Sequence, residues 1–171
     1  ATLIPNVLIF LLTMSLLLIF PGWKAPFSNT LGYLFAKAIN IKGSFDELLI
    51  KGETSDSLMK RIIEDKSLII NEISTTNFDM FLKNMDNYGL LAGNYDKLSE
   101  IAAGTEQGKK IKDPELNEKA ESVTNLWKAV VLKDLVGEVM WYILAGTLVI
   151  SIIKSNIGDM LCVKMEDTDT T

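Results

Sequence analysis

The chain has no histidine and a single cysteine, Cys162. The first absence removes the commonest metal ligand and general base, and the second rules out an internal disulfide. No Asn-X-Ser/Thr triplet occurs in the 171 residues. With neither sequons nor disulfides, the charged part of the chain is expected on a reducing, cytosolic side. Motifs for chemistry are missing as well. Gly89-Leu-Leu-Ala-Gly93 lacks the third glycine of a dinucleotide loop and the Gly-Lys-Ser/Thr of a phosphate loop. The acids around Asp86 do not have EF-hand spacing. The pairs Asp46-Glu47 and Glu64-Asp65 read as solvated helix faces rather than as a general acid and its base. The net charge of −5 is spread along the sequence with lysines interleaved among acids, so no basic stripe exists to hold nucleic acid. The expectation is a chain that is not an enzyme, with no cofactor, no metal and no small-molecule substrate.

What is present is apolar length in two places. No residue from Ala1 to Trp23 is charged, and Leu3 to Phe20 is interrupted only by Pro5, Asn6, Thr13 and Ser15. At about 1.5 Å per residue that run crosses a hydrocarbon core of about 30 Å. A cleaved signal peptide would open on a positive region, which this segment lacks. The second run, Leu135 to Ile153, has a shorter uncharged centre, Val139 to Ile153, and needs its ends to reach both surfaces. Lys154 can snorkel to the headgroups and Glu138 can sit beside Trp141 and Tyr142 at the interface. A buried helix of a soluble protein is the competing reading of so short a stretch. Two crossings would put Lys24 to Leu135 on one face. Lys24, Lys37, Lys128 and Lys133 flank that side against Lys154 and Lys164 on the other, which orients the loop towards the cytosol.

Between the runs the pattern is helical. Pro21, Gly22 and Pro26 should break the chain after the first run, leaving Trp23, Phe27 and Tyr33 along the headgroup layer, with Trp141, Tyr142 and Lys154 as the second run's interface residues. The alternative for the first three is a place in the domain core. Ser44-Phe-Asp-Glu47 reads as a capping box, with Gly52 ending its helix. An apolar stripe from Leu58 to Ile73 predicts an amphipathic helix, Asn77 and Asn94 predict helix starts, and Gly89 and Gly104 predict stops. Asp113 then caps, Pro114 takes the first helical position, and Leu116, Ala120, Val123, Leu126, Trp127, Val130 and Val131 continue at helical spacing into the second run. One helix is expected from Pro114 to about Ile153. The fold class predicted is mainly α, with two transmembrane helices flanking a small helical domain and the second span continuous with a long helix. In residues this gives a first span over 1–20, an interfacial aromatic segment over 21–43, a membrane-side domain over 44–134, a second span over 135–154 and an acidic tail over 155–171, mobile from Met165 to Thr171.

Two stretches, Phe20-Pro-Gly-Trp-Lys-Ala-Pro-Phe-Ser-Asn-Thr-Leu-Gly-Tyr33 and Trp141-Tyr-Ile-Leu-Ala-Gly-Thr-Leu-Val-Ile-Ser151, resemble membrane proteins of large icosahedral double-stranded DNA viruses of the chlorella-virus and iridovirus type. The resemblance implies a minor capsid or inner-membrane component lying between an internal lipid bilayer and the capsid shell, with other capsid proteins as partners and the domain on the capsid-facing side. The residues themselves leave a second possibility, a subunit of a small oligomeric channel or transporter. Its polar span residues would be Glu138, Thr147, Ser151, Thr13 and Ser15.

Overall fold

The computed structural model describes residues 3–50, 66–106 and 113–168, and these are mainly helical. The elements are α1 (Leu3–Ile19), a helical run made of a 3-10 turn (Pro21–Lys24), one α turn (Ala25–Phe27) and a π turn (Ser28–Gly32), α2 (Tyr33–Ala38), α3 (Ile41–Leu48), α4 (Lys66–Glu72), α5 (Phe78–Asn87), α6 (Tyr95–Glu106) and α7 (Pro114–Thr168). Among the described residues the only β pairing is an isolated antiparallel bridge between Leu49 and Leu91. Contacts divide the chain into two units, Ser28–Val136, and Ala1–Phe27 with Gly137–Thr171.

The Ser28–Val136 unit has a continuous apolar core. Its helices present the spacings that build it: Ile41, Phe45 and Leu48 from α3; Phe78, Leu82 and Met85 from α5; Val123, Leu126 and Val130 from α7. Ile69, Ile70 and Ile73 of the expected amphipathic stripe are buried here too, whereas its Leu58, Met59, Ile62 and Ile63 lie outside the described residues, as does Gly52. Several ends follow local chemistry. Asp113 Oδ1 accepts from the backbone N–H of Glu115 at 3.1 Å and of Leu116 at 3.4 Å, capping α7 ahead of Pro114. Asn94 Oδ1 accepts from Lys97 N at 3.1 Å at the start of α6. At the end of α5, Gly89 takes φ +68°, and Leu90 N bonds Met85 O while Gly89 N bonds Asp86 O, the Schellman pair that satisfies the last carbonyls.

Three expectations are corrected. Ser44 does not open α3: its N–H already donates to Asn40 O, and the helix begins three residues earlier, because Asn40 adopts a left-handed conformation (φ 64°) that asparagine tolerates and that turns the chain between α2 and α3. Pro26 does not break the chain, since the run is helical on both sides of it; the interruption falls at Phe20 (φ −124°, ψ 73°), just before Pro21. Gly104 lies inside α6, where a glycine costs about 1 kcal/mol without ending a helix. Beyond the expected end near Ile153, α7 continues to Thr168 with no proline to stop it.

In the other unit, α1 is apolar around its circumference, exposing Leu8, Leu11, Leu12, Leu18 and Ile19, and the last part of α7 exposes Val139, Ile143, Leu144, Leu148 and Ile150. Leu17, Ala145 and Val149 are buried. One helix, the Pro114–Ser155 part of α7, is long and apolar enough to cross a membrane on its own. Its most apolar window is only 17% buried within the protein, whereas the core helix of a soluble domain would be mostly covered. α1 has 17 residues, short of the roughly 20 of a full span.

Candidate functional site

Continuing the α7 stripe Val123, Leu126, Val130 by three or four residues leads to Lys133, Asp134 and Gly137. The structure buries all three. Lys133 is 1% exposed and Asp134 4%. A buried charge is costly unless every donor and acceptor is used, and here they are. Lys133 Nζ donates to Asn29 Oδ1 at 3.1 Å, Ile70 O at 3.0 Å and Ile73 O at 2.7 Å. The last two carbonyls sit at the end of α4, where backbone acceptors lack helical partners and the helix dipole favours a cation. Asp134 Oδ1 accepts from Ser28 Oγ at 2.7 Å, and its Oδ2 accepts from Thr75 N at 2.9 Å and Thr75 Oγ1 at 2.8 Å.

Two consecutive residues of α7 thus fasten two remote segments, Ser28–Asn29 and Ile70–Thr75. Burial pushes the Lys133 amine below its ordinary value, against the opposing pull of Asp134 and Glu72. All three ammonium protons are committed, so the group is a clasp rather than a base or a nucleophile. Gly32 belongs to the same arrangement: a Cβ there would run into the backbone carbonyl of Lys133, and only glycine allows the π turn to lie so close. Gly32→Ala is expected to destabilise the unit by about 1–3 kcal/mol, the usual range for overpacking, as a lowered thermal midpoint followed by circular dichroism.

A second polar join is formed where Ser122 Oγ of α7 donates to Glu47 of α3. Tyr95 OH donates to Asp79 Oδ1 at 2.6 Å, and burial, that bond and the charges of Asp79 and Asp96 hold the phenol above its ordinary value. These two residues, with Phe78 and Trp127 in edge-to-face contact at 4.9 Å, border an open cavity of about 250 Å³. Among the described residues no group of three or more His, Cys, Asp or Glu side chains could hold a metal.

The six expected interface residues separate. Trp23 stacks on Phe20 at 5.3 Å and meets Trp141 edge-on at 5.8 Å, so these two are brought together. The Trp141 indole N–H is buried with no acceptor among the described residues, which turns the ring's polar edge inward. Phe27 and Tyr142 are half-buried and Lys154 is exposed. Tyr33 packs against the core of the Ser28–Val136 unit, the alternative weighed for it above. The sequence reading counted Lys133 as a flanking cation and passed over Asp134. The signal was the α7 stripe itself, which runs through both positions. Compared with protein-family models, curated proteins and solved structures, the chain matches none.

Proposed function

We propose that the chain is a structural membrane protein that crosses a bilayer twice, through α1 and through the last part of α7, and displays the Ser28–Val136 unit on one side. The observation that carries this reading is the apolar exterior of the unit formed by Ala1–Phe27 and Gly137–Thr171, where leucine and isoleucine are exposed on both helices. Soluble proteins rarely leave so much apolar side chain exposed, and a lipid contact covers it. α1 is short for a span, and the Phe20–Trp23–Trp141 aromatic group can complete it at the headgroup level. The span hydroxyls support an anchor over a pore: Thr13, Ser15, Thr147 and Ser151 each donate to a carbonyl of their own helix, as hydroxyls in hydrocarbon do.

In the setting the resemblance implies, the protein is a minor capsid component that links an internal viral membrane to the shell, with other capsid proteins binding the displayed unit. Stripping lipid from purified particles with detergent should release or loosen it while the outer shell protein stays. Recovery of the chain as a freely soluble protein after cell fractionation would overturn the reading.

A further inference from the structure

The clasp has an outward consequence. Ser28, Gly32 and Ala36 are buried and Tyr33 packs on the core, so this edge of the π turn and α2 faces inward. Beside it, at i, i+4 spacing, Leu31, Phe35 and Ile39 form a neighbouring stripe with Leu34 next to it, and all four are exposed, Leu34 at 60% and Phe35 at 54%. Ser28 and Asn29 are bound by Asp134 and Lys133, and Gly32 abuts the Lys133 carbonyl, so the roll of this segment about its axis is fixed from inside the unit.

Charge says what the outward edge meets. Residues 1–45 contain no Asp or Glu and three lysines, Lys24, Lys37 and Lys42, in a chain whose net charge is −5. An exposed apolar edge set in a purely cationic stretch suits an interface rich in anionic headgroups, where leucine and phenylalanine enter the acyl boundary and lysines stay at the phosphates. The edge also begins within a dozen residues of α1. At about 1.5 Å per helical residue, the chain cannot carry it far from a bilayer that α1 enters.

We infer that Leu31, Leu34, Phe35 and Ile39 form a docking edge that seats on the anionic lipid surface beside the first span, held in that roll by the Lys133–Asp134 clasp. The inference rests on the membrane reading above and adds to it a defined edge and a lipid class.

The test uses the full chain with Cys162→Ser and a single spin label at Leu34→Cys or Phe35→Cys. A label at Lys97→Cys, on exposed α6, serves as the water-facing control. Each protein is placed in nanodiscs of phosphatidylcholine alone or of phosphatidylcholine with phosphatidylserine. In the anionic discs the labels at 34 and 35 should be reached by oxygen and shielded from an aqueous nickel chelate, and the control should show the reverse. Phosphatidylcholine alone, or Lys37→Gln, should lower the lipid-seated population, by about fivefold for one lysine, equivalent to the ~1 kcal/mol a cation gains near an anionic leaflet. Equal seating in both lipids overturns the anionic preference. Labels at 34 and 35 that the chelate reaches freely in protein still resistant to alkaline extraction overturn the docking edge and leave the two-span reading intact. Shielding that arises only when another protein is added assigns the edge to a protein partner and overturns the lipid assignment. Extraction of the protein at alkaline pH overturns the membrane reading itself.

Discussion

Asp134→Ala is expected to lower the stability of the Ser28–Val136 unit by about 3–5 kcal/mol, the cost of removing one partner from a buried charged network. The substitution strips the acceptor from Ser28 Oγ, Thr75 N and Thr75 Oγ1 at once and leaves the Lys133 charge buried without its neighbour. Asp134→Asn keeps an acceptor of the same shape and should cost about 1–2 kcal/mol. Lys133→Met should fall near the alanine variant, because Asn29 Oδ1 and the carbonyls of Ile70 and Ile73 all lose their donor. Urea unfolding in detergent, followed by the fluorescence of Trp127 in a Trp23→Phe/Trp141→Phe background, gives these values. Additive losses in the Lys133/Asp134 double mutant would show that the two residues act separately.

The same clasp predicts a pH dependence. The folded chain releases the Lys133 proton at a lower pH than the unfolded chain, so in the alkaline window between those two values the unfolded state binds more protons and stability rises with pH. Lys133→Met should lack that rise.

If the chain is the membrane anchor proposed above, a flexible insertion of Gly-Ser-Gly-Ser between Val136 and Gly137 is expected to leave membrane insertion intact and to abolish assembly with a capsid protein bound to the Ser28–Val136 unit. α7 is helical on both sides of this position. Four flexible residues add an uncertainty of about 11 Å in reach, enough to lose a contact that depends on a set height. A proline at Ala129 would be a poorer test, although the sequence alone makes it look equivalent. Ala129 is 1% exposed in the core, so proline there would damage the unit as well as the helix. Normal assembly by the insertion variant would mean that a rigid connection is not needed.

The parts of the fold that the sequence made legible are those governed by neighbours in the chain. Asp113-Pro114 and Asn94 start helices by capping the next turn, and Gly89 ends one by supplying a positive φ. The α7 stripe gave the buried face of a helix that has no breaker for 55 residues. Reading failed where a distant partner decided the outcome. Ser44 and Glu47 matched a capping box, but Glu47 bonds Ser122 and the turn was set by Asn40. Asn77 precedes α5 as expected, yet its side chain turns back to Ser74 N and Glu72 O instead of capping. Lys133 looked like a cation flanking a span, and Asp134 was passed over, because their partners, Ser28, Asn29 and Ile70–Thr75, are remote in sequence. Trp23 and Tyr33 looked alike as aromatics after a span, whereas one joins Trp141 and the other joins the core. No local pattern distinguishes them.

The central claim is that the chain crosses the membrane twice. Cysteine accessibility in sealed vesicles tests it most directly, using the native Cys162 and, in a Cys162→Ser background, Thr2→Cys and Lys97→Cys, each treated with a membrane-impermeant maleimide before and after permeabilisation. Two crossings predict that Thr2→Cys and Cys162 react from the same side and Lys97→Cys from the opposite one. Reaction of Thr2→Cys from the side of Lys97→Cys, or of all three from one side, would contradict it.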